Sequence, residues 1–172
     1  MIHLLLGGAR SGKSRRAVAL AGKRSSVVFF ATASPRDGEM RSRIAAHRRE
    51  RPAGWRTIEE SRSVPDRLAA LAPGTTVILD CVTLWIARLM TDRIPDRAIL
   101  TAVDRLVAVA RFRRLRLIAV SNEVGSGVVP PTPAGRRFQD LLGAVNARLA
   151  RTAGRVELLV AGVAVAVKGE RR

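Results

Sequence analysis

The feature that most constrains this chain is the segment of residues 7–14, which reads GGARSGKS. It fits the pattern G-x-x-x-x-G-K-[ST], whose glycines let the backbone curl tightly and aim N–H groups at phosphate oxygens. An apolar run at residues 2–6 precedes it, and a helical pattern follows from Lys13. An ordinary glycine-rich turn does not require this strand–loop–helix context, so we predict a phosphate-binding loop. The predicted contacts are Gly7, Gly8, Ala9, Arg10, Ser11, Gly12, Lys13 and Ser14.

Three side chains carry the chemistry expected beside such a loop. Lys13 brings a positive charge to the outer phosphates, and the Ser14 hydroxyl can bind Mg²⁺. Asp80 ends the apolar run of residues 76–80. Open α/β sheets place their ligands at the carboxyl ends of strands, so we predict that Asp80 holds Mg²⁺ directly or through water. The alternative is an aspartate that caps the following helix.

Strand-like apolar runs and amphipathic helical patterns alternate along the chain. Strands are predicted at residues 2–6, 27–31, 55–59, 76–81, 115–121, 156–161 and 163–168, and helices at 13–23, 39–51, 64–71, 84–93, 96–111 and 134–153. Continuous apolar strands between helices predict a mainly parallel sheet covered on both faces. The last two strands are joined too closely for a parallel crossover, so the final one is predicted as an antiparallel edge strand. Residues 1–172 are therefore expected to form a single α/β domain with a P-loop NTPase (RecA-like) fold.

The formal net charge of +17 indicates an anionic partner, and nucleic acid is the obvious candidate. The arginines, however, are spread along the whole chain, and aromatic residues, on which single-stranded bases would stack, make up 3%. We interpret the charge as solvated helix faces plus phosphate-binding arginines, and predict no nucleic-acid partner. No apolar run is long enough to span a membrane and no basic leader precedes the first strand, which predicts a cytoplasmic protein.

The chain contains one cysteine and two histidines. Cys81 has no partner for a disulfide and no metal-type spacing around it, so a buried, inert thiol is expected. His3 lies in the first strand and is expected to be structural. His47 has Arg43 and Arg51 one helical turn to either side. The crowded cations favour a neutral imidazole, the form that can attack phosphorus, although a surface histidine is the alternative.

Further motifs follow in a fixed order: ATA at residues 31–33, DGEM at 37–40, HRRERP at 47–52, LDCVTLW at 79–85 and SNEVG at 121–125. Together with residues 7–14 they extend over nearly the whole chain. In this order and spacing, the chain resembles the bifunctional adenosylcobinamide kinase/adenosylcobinamide-phosphate guanylyltransferases of cobalamin biosynthesis.

The resemblance implies two reactions. The first is phosphoryl transfer from ATP or GTP to a hydroxyl of adenosylcobinamide. The second transfers GMP from GTP to the new phosphate, giving adenosylcobinamide-GDP and pyrophosphate. In such enzymes the histidine at the position of His47 attacks the α-phosphorus and carries GMP covalently, which exploits the nucleophilicity of neutral imidazole. The resemblance also implies Mg²⁺ as cofactor and a homotrimer.

The resemblance further assigns a set of residues to GTP binding. Glu59 is the expected reader of guanine, because a carboxylate accepts hydrogen bonds from the N1–H and amino groups of the base. The implied contacts are Thr32, Ala33, Ser34, Arg48, Arg49, Glu50, Arg51, Glu59 and Asp80. Two alternatives stay open: a P-loop kinase of another small molecule, and a basic, nucleotide-gated module that binds nucleic acid.

Overall fold

A computed structural model of the protein describes residues 1–22, 27–33, 38, 52 and 54–169. The described strands are β1 (Ile2–Gly7), β2 (Val27–Ala31), β3 (Arg56–Glu59), β4 (Thr76–Asp80), β5 (Arg116–Val120), β6 (Arg155–Val160) and β7 (Val163–Lys168). The described helices are α1 (Lys13–Ala21), α2 (Val64–Ala69), α3 (Val82–Thr91), α4 (Asp96–Phe112) and α5 (Pro133–Thr152). These elements confirm the predicted order within a few residues at each end. The helix predicted at residues 39–51 lies outside the described residues.

The described strands form one sheet in the order β3-β2-β4-β5-β1-β6-β7. Strands β1 to β6 pair in parallel, and β7 pairs antiparallel with β6, which confirms the predicted edge strand. Because β5 lies between β1 and β4, the carboxyl ends of these three strands are neighbours at one edge of the sheet. Ligands of open parallel sheets bind at this edge.

The central strands are apolar on both faces because helices cover the sheet on both sides. Leu4 belongs to a core cluster that includes Trp85 from α3, whereas the next residue, Leu5, packs in a second cluster with Ala17 from α1. Successive side chains of a strand point to opposite faces, so this division shows that both faces are buried. The predicted two-sided parallel sheet is therefore confirmed.

Helix α5 begins where its sequence predicts a helix start. Thr132 is the N-cap, and its hydroxyl accepts a hydrogen bond from the N–H of Gly135. Pro133 takes the first helical position, where the missing N–H of proline costs nothing. The cap sets the first residue of α5, and side chains of this helix hold the loop after β5.

A buried charged cluster lies beneath α1, where β1 and β6 pair. The Glu157 residue is 1% exposed, and its carboxylate accepts hydrogen bonds from Arg16 Nε and Nη2 at 2.8 and 2.9 Å. Arg155 Nη2 lies 3.1 Å from the same carboxylate. Side-chain hydrogen bonding from Arg16 lowers the pKa of Glu157, so this carboxylate stays ionised and holds α1 against the sheet.

His3 completes this cluster as a neutral group. Its Nε2 lies 3.6 Å from Glu157 Oε1, beyond hydrogen-bond distance. Burial lowers the pKa of His3 to about 4, and the nearby arginines add to this effect while Glu157 opposes it. The expected structural role of His3 therefore comes with a definite protonation state: a neutral imidazole at neutral pH.

We predict that His3 makes the protein less stable as the pH falls from 6.5 towards 4. In this window the unfolded chain protonates His3 and the folded protein does not, so protons favour unfolding. Between pH 6.5 and 4.5 the wild-type protein should lose about 2 kcal/mol more free energy of unfolding than a His3→Gln variant. Urea unfolding across this range measures the difference, and parallel pH curves for the two proteins would contradict the assignment.

Candidate nucleotide-binding site

The loop between β1 and α1 has the backbone conformation that its glycines predict. Gly7 and Gly12 have φ angles of 148° and 91°, a region that residues with a Cβ rarely adopt. A Cβ at Gly7 would also overlap the carbonyl oxygen of Leu159 on β6. The loop apex, residues 8–10, is exposed, whereas Ser11 and Lys13 are buried. The glycines thus let the chain turn sharply while the Lys13 side chain stays inside the loop.

Lys13 is enclosed by its own loop. Its Nζ donates to the carbonyl oxygens of Gly7 at 2.9 Å and Gly8 at 2.5 Å, and lies 3.4 Å from Ser11 Oγ. Burial lowers the pKa of Lys13, while the negative charge of Asp80 acts in the opposite direction. The ammonium is therefore desolvated and fixed at the carboxyl end of β1, where a phosphate oxygen can take the place of a carbonyl acceptor.

Asp80 and Ser14 stand at the ends of elements that meet at the same sheet edge. Asp80 is the last residue of β4, and Ser14 lies half-buried in the first turn of α1. The effect of Asp80 on the pKa of Lys13 puts both groups in one electrostatic site. Cys81, and not Asp80, is the N-cap of α3, so the alternative of Asp80 as the capping residue is not supported. Cys81 is half-buried and not fully buried as predicted, but burial raises the pKa of its thiol to about 11, which agrees with the expected inert cysteine.

Thr32 joins the end of β2 to the end of β4. Its hydroxyl accepts from the N–H of Cys81 at 2.8 Å and donates to the carbonyl oxygen of Cys81 at 2.7 Å. The Thr32 N–H donates to the carbonyl oxygen of Asp80 at 3.1 Å. The residue is 2% exposed, so this pairing is internal. Thr32 was predicted to contact GTP; its hydroxyl supports the backbone beside Asp80, and the GTP contact stays a prediction.

The other predicted nucleotide contacts are placed only in part. Ala33 follows Thr32 and is half-buried, and Glu59 is exposed at the end of β3, opposite Ala31 in the strand register. Glu59 therefore lies at the carboxyl end of β3, and its contact with guanine stays a prediction. The following predicted site residues lie outside the described part of the chain: Ser34, His47, Arg48, Arg49, Glu50 and Arg51.

The loop after β5 is the part of this edge to which the sequence analysis gave no role. The N–H of Glu123 donates to the carbonyl oxygen of Gly7 at 3.1 Å, the same oxygen that accepts from Lys13. The N–H of Asn122 donates to the Thr83 hydroxyl at 2.7 Å. The motif at residues 121–125 was visible in the sequence, but its position against the phosphate-binding loop follows from β5 lying beside β1.

Comparisons with known proteins point in one direction. The family model described as "Cobinamide kinase / cobinamide phosphate guanyltransferase" matches residues 3–167. The chain is 42% identical over 178 residues to the bifunctional adenosylcobalamin biosynthesis protein CobP of Pseudomonas aeruginosa, covering 99% of both chains. It is 39% identical over 181 residues to the bifunctional adenosylcobalamin biosynthesis protein CobU of Escherichia coli, covering 98% of this chain and 100% of that protein. Among the described residues, no helix has the length and apolar character needed to cross a membrane.

We predict that the Thr32 hydroxyl is needed for stability. In Thr32→Val, the N–H of Cys81 loses its side-chain partner while the Cys81 carbonyl oxygen keeps the N–H of Trp85, so the free energy of unfolding should fall by about 2 kcal/mol. Thr32→Ser keeps the hydroxyl and serves as the matched control, with a loss of about 1 kcal/mol expected from the missing methyl group. Urea unfolding of the three proteins measures the effect. Equal losses in the two variants would show that the hydroxyl contributes nothing.

Proposed function

The chain belongs to the cobinamide kinase / cobinamide phosphate guanyltransferase family, and on this basis we propose that it catalyses two successive reactions at one nucleotide site. In the first, ATP or GTP phosphorylates a hydroxyl of adenosylcobinamide. In the second, GTP gives its GMP group first to His47 and then to the new phosphate, which yields adenosylcobinamide-GDP.

The observation that best supports this proposal is the enclosed Lys13 ammonium. It sits 2.9 Å from the Gly7 carbonyl oxygen at the carboxyl end of β1, within the electrostatic reach of Asp80. A fixed cation in a desolvated loop stabilises charge that develops on phosphate oxygens without having to reorganise. The N-terminus of α1 adds a favourable dipole and free N–H groups. Both proposed reactions break a phosphoanhydride bond and therefore need this charge stabilisation.

In the kinase step the chain mainly positions and stabilises, since phosphoryl transfer needs little covalent help from protein groups. Lys13 and the loop amides hold the outer phosphates of the nucleotide. The acceptor oxygen attacks the γ-phosphorus while the bond to the bridging oxygen breaks and the nucleoside diphosphate leaves. The buried position of Lys13, at 7% exposure, keeps water from competing for its charge.

In the guanylyl step His47 is the proposed nucleophile. A neutral imidazole nitrogen attacks the α-phosphorus of GTP, a phosphorus–nitrogen bond forms, and pyrophosphate leaves. The cobinamide phosphate oxygen then attacks the same phosphorus and releases the histidine. Arg48, Arg49 and Arg51 supply cationic donors near this phosphate, and they also keep the imidazole neutral. Glu59 is the proposed guanine reader.

The residues at this edge fit Mg²⁺ as the proposed cofactor. Asp80 and Ser14 offer hard oxygen ligands. The described part of the chain contains no group of three or more His, Cys, Asp or Glu residues that could hold a metal ion by themselves. Mg²⁺ is usually held by one or two protein oxygens together with waters and substrate phosphates, which suits so small a donor set. When bound, it supplies positive charge to the phosphates.

The remaining proposals concern partners and location. Several arginines of the described helices form ion pairs with carboxylates, including Arg105 with Asp66 and Arg137 with Asp96. This pairing supports solvated, ion-paired helix faces over a nucleic-acid surface. The proposed homotrimer rests on the resemblance, and the exposed valines 163, 165 and 167 of β7 provide apolar surface for such an assembly. The cytoplasmic location stays a prediction.

We predict that incubation with GTP and Mg²⁺ attaches a GMP-sized group to the protein. The phosphorus–nitrogen bond should be acid-labile, and the adduct should be absent from a His47→Ala variant. Intact-mass analysis before and after acid treatment measures both properties.

His3→Gln is the matched control, because the chain contains two histidines and His3 is buried away from the loop. It should form the adduct like the wild-type protein. An adduct that persists in His47→Ala would refute His47 as nucleophile. Bound GTP with no adduct in any variant would refute the covalent step and favour a P-loop kinase that forms no covalent intermediate.

A further inference from the structure

We propose that Glu123 is the group that receives the acceptor hydroxyl in the kinase step and takes its proton. This inference rests on the proposed function and adds to it a residue for one of the two reactions. It also implies that the two reactions differ in their need for this carboxylate.

The backbone of Glu123 lies beside the phosphate-binding loop. Lys13 Nζ and the Glu123 N–H both bind the Gly7 carbonyl oxygen, at 2.9 and 3.1 Å. Two bonds to one oxygen keep these nitrogens within about 6 Å of each other, since the two distances set the upper limit. The backbone of Glu123 is therefore anchored beside Lys13, against which the phosphates of the substrate would lie.

Hydrogen bonds from neighbouring helices hold the loop after β5 in place. The loop that carries Glu123 is tied down on three further sides: Asn122 N–H donates to the Thr83 hydroxyl at 2.7 Å, Asn146 Nδ2 donates to the Asn122 carbonyl oxygen at 3.0 Å, and Gln139 Nε2 donates to the Val124 carbonyl oxygen at 3.1 Å. These contacts come from α3 and α5. A general base must be held within hydrogen-bond reach of its proton, and such anchoring provides that.

Several carboxylates lie at the carboxyl ends of the described strands. The described strands β3, β4 and β5 end in or are followed by Glu59, Glu60, Asp80 and Glu123. Glu60 Oε1 caps the segment before α2 by accepting from the N–H groups of Arg62 and Ser63. Glu59 and Asp80 have proposed roles towards guanine and Mg²⁺. Glu123 is the carboxylate in the loop after β5, the strand next to β1 and its phosphate-binding loop.

One carboxylate oxygen of Glu123 has a local partner. Oε1 accepts from the N–H of Gly125 at 2.6 Å, which orients the side chain within its loop. A carboxylate has further lone pairs, so this bond leaves capacity for a substrate hydroxyl. The bond also offers a test, because glutamine can accept the same N–H through its amide oxygen but is a far weaker proton acceptor.

In the proposed kinase step, one bond to the γ-phosphorus forms and one breaks. The acceptor oxygen forms a bond to the γ-phosphorus, the bond between that phosphorus and the bridging oxygen breaks, and the nucleoside diphosphate leaves. The hydroxyl proton passes to the Glu123 carboxylate and from there to water. Guanylyl transfer to a phosphate acceptor needs no such base, because a phosphate monoester oxygen attacks as an anion.

The experiment compares wild-type protein with Glu123→Gln in two assays. We expect phosphorylation of cobinamide with ATP to fall by about 100-fold or more in kcat, as removal of a general base usually does. With cobinamide phosphate and GTP supplied, conversion to the GDP product should stay within about threefold of wild type. Retained kinase activity, or equal losses in both assays, would overturn the proposal.

Gln139→Ala provides the control for loop anchoring. It removes the contact to the Val124 carbonyl oxygen without changing any charge. We expect it to affect both assays by a similar factor, and a selective kinase loss in this variant would assign the Glu123→Gln effect to loop position and refute the role as base. Failure of the proposed function itself is distinguishable, because wild-type protein would then phosphorylate no cobinamide.

Discussion

The burial of the Lys13 ammonium is the interaction on which the rest of this site depends. A desolvated cation needs acceptors, and the carbonyl oxygens of Gly7 and Gly8 supply them only because the loop curls back on itself. That curl requires φ angles of 148° and 91° at Gly7 and Gly12, and it requires β1 and α1 to meet at a fixed distance. The apolar cluster that contains Leu5 of β1 and Ala17 and Ala21 of α1 holds that distance.

An ion pair also fixes helix α1 to the sheet, through Arg16 and not through the phosphate-binding loop. The Arg16 guanidinium binds the buried Glu157 carboxylate on β6 through two bonds. Buried ion pairs add little net stability but are costly to break, so they specify a position more than they strengthen a fold. Arg16 lies one turn after Lys13 on the same helix. The pair therefore restricts how α1, and with it the phosphate-binding loop, can rotate against the sheet.

Sequence patterns predicted the elements and the phosphate-binding loop because both depend on local signals. Apolar runs, helical periodicity and the glycine spacing of residues 7–14 all act within about twenty residues. The strand order could not be predicted in this way. The pairing of β5 with β1 places Glu123 against Gly7, 116 residues away in the chain, and the Thr32 hydroxyl pairs with Cys81 across 49 residues. No local pattern encodes such partners, so the loop after β5 received no role from the sequence and Thr32 received only the role implied by resemblance.

The two proposed reactions transfer a group to chemically different acceptors, a hydroxyl and a phosphate. This difference explains why one site would need both carboxylates and arginines. A hydroxyl must lose a proton, which favours a carboxylate close to the γ-phosphate. A phosphate monoester carries negative charge and needs cations near the α-phosphate, where a carboxylate would repel it. If both reactions use one nucleotide site, the two groups must lie on different elements. Glu123 follows β5, the strand next to β1 and its phosphate-binding loop, whereas Arg48, Arg49 and Arg51 lie in the sequence between β2 and β3. The proposed base and the proposed cations therefore come from different connections of the sheet, which lets each serve one of the two proposed steps.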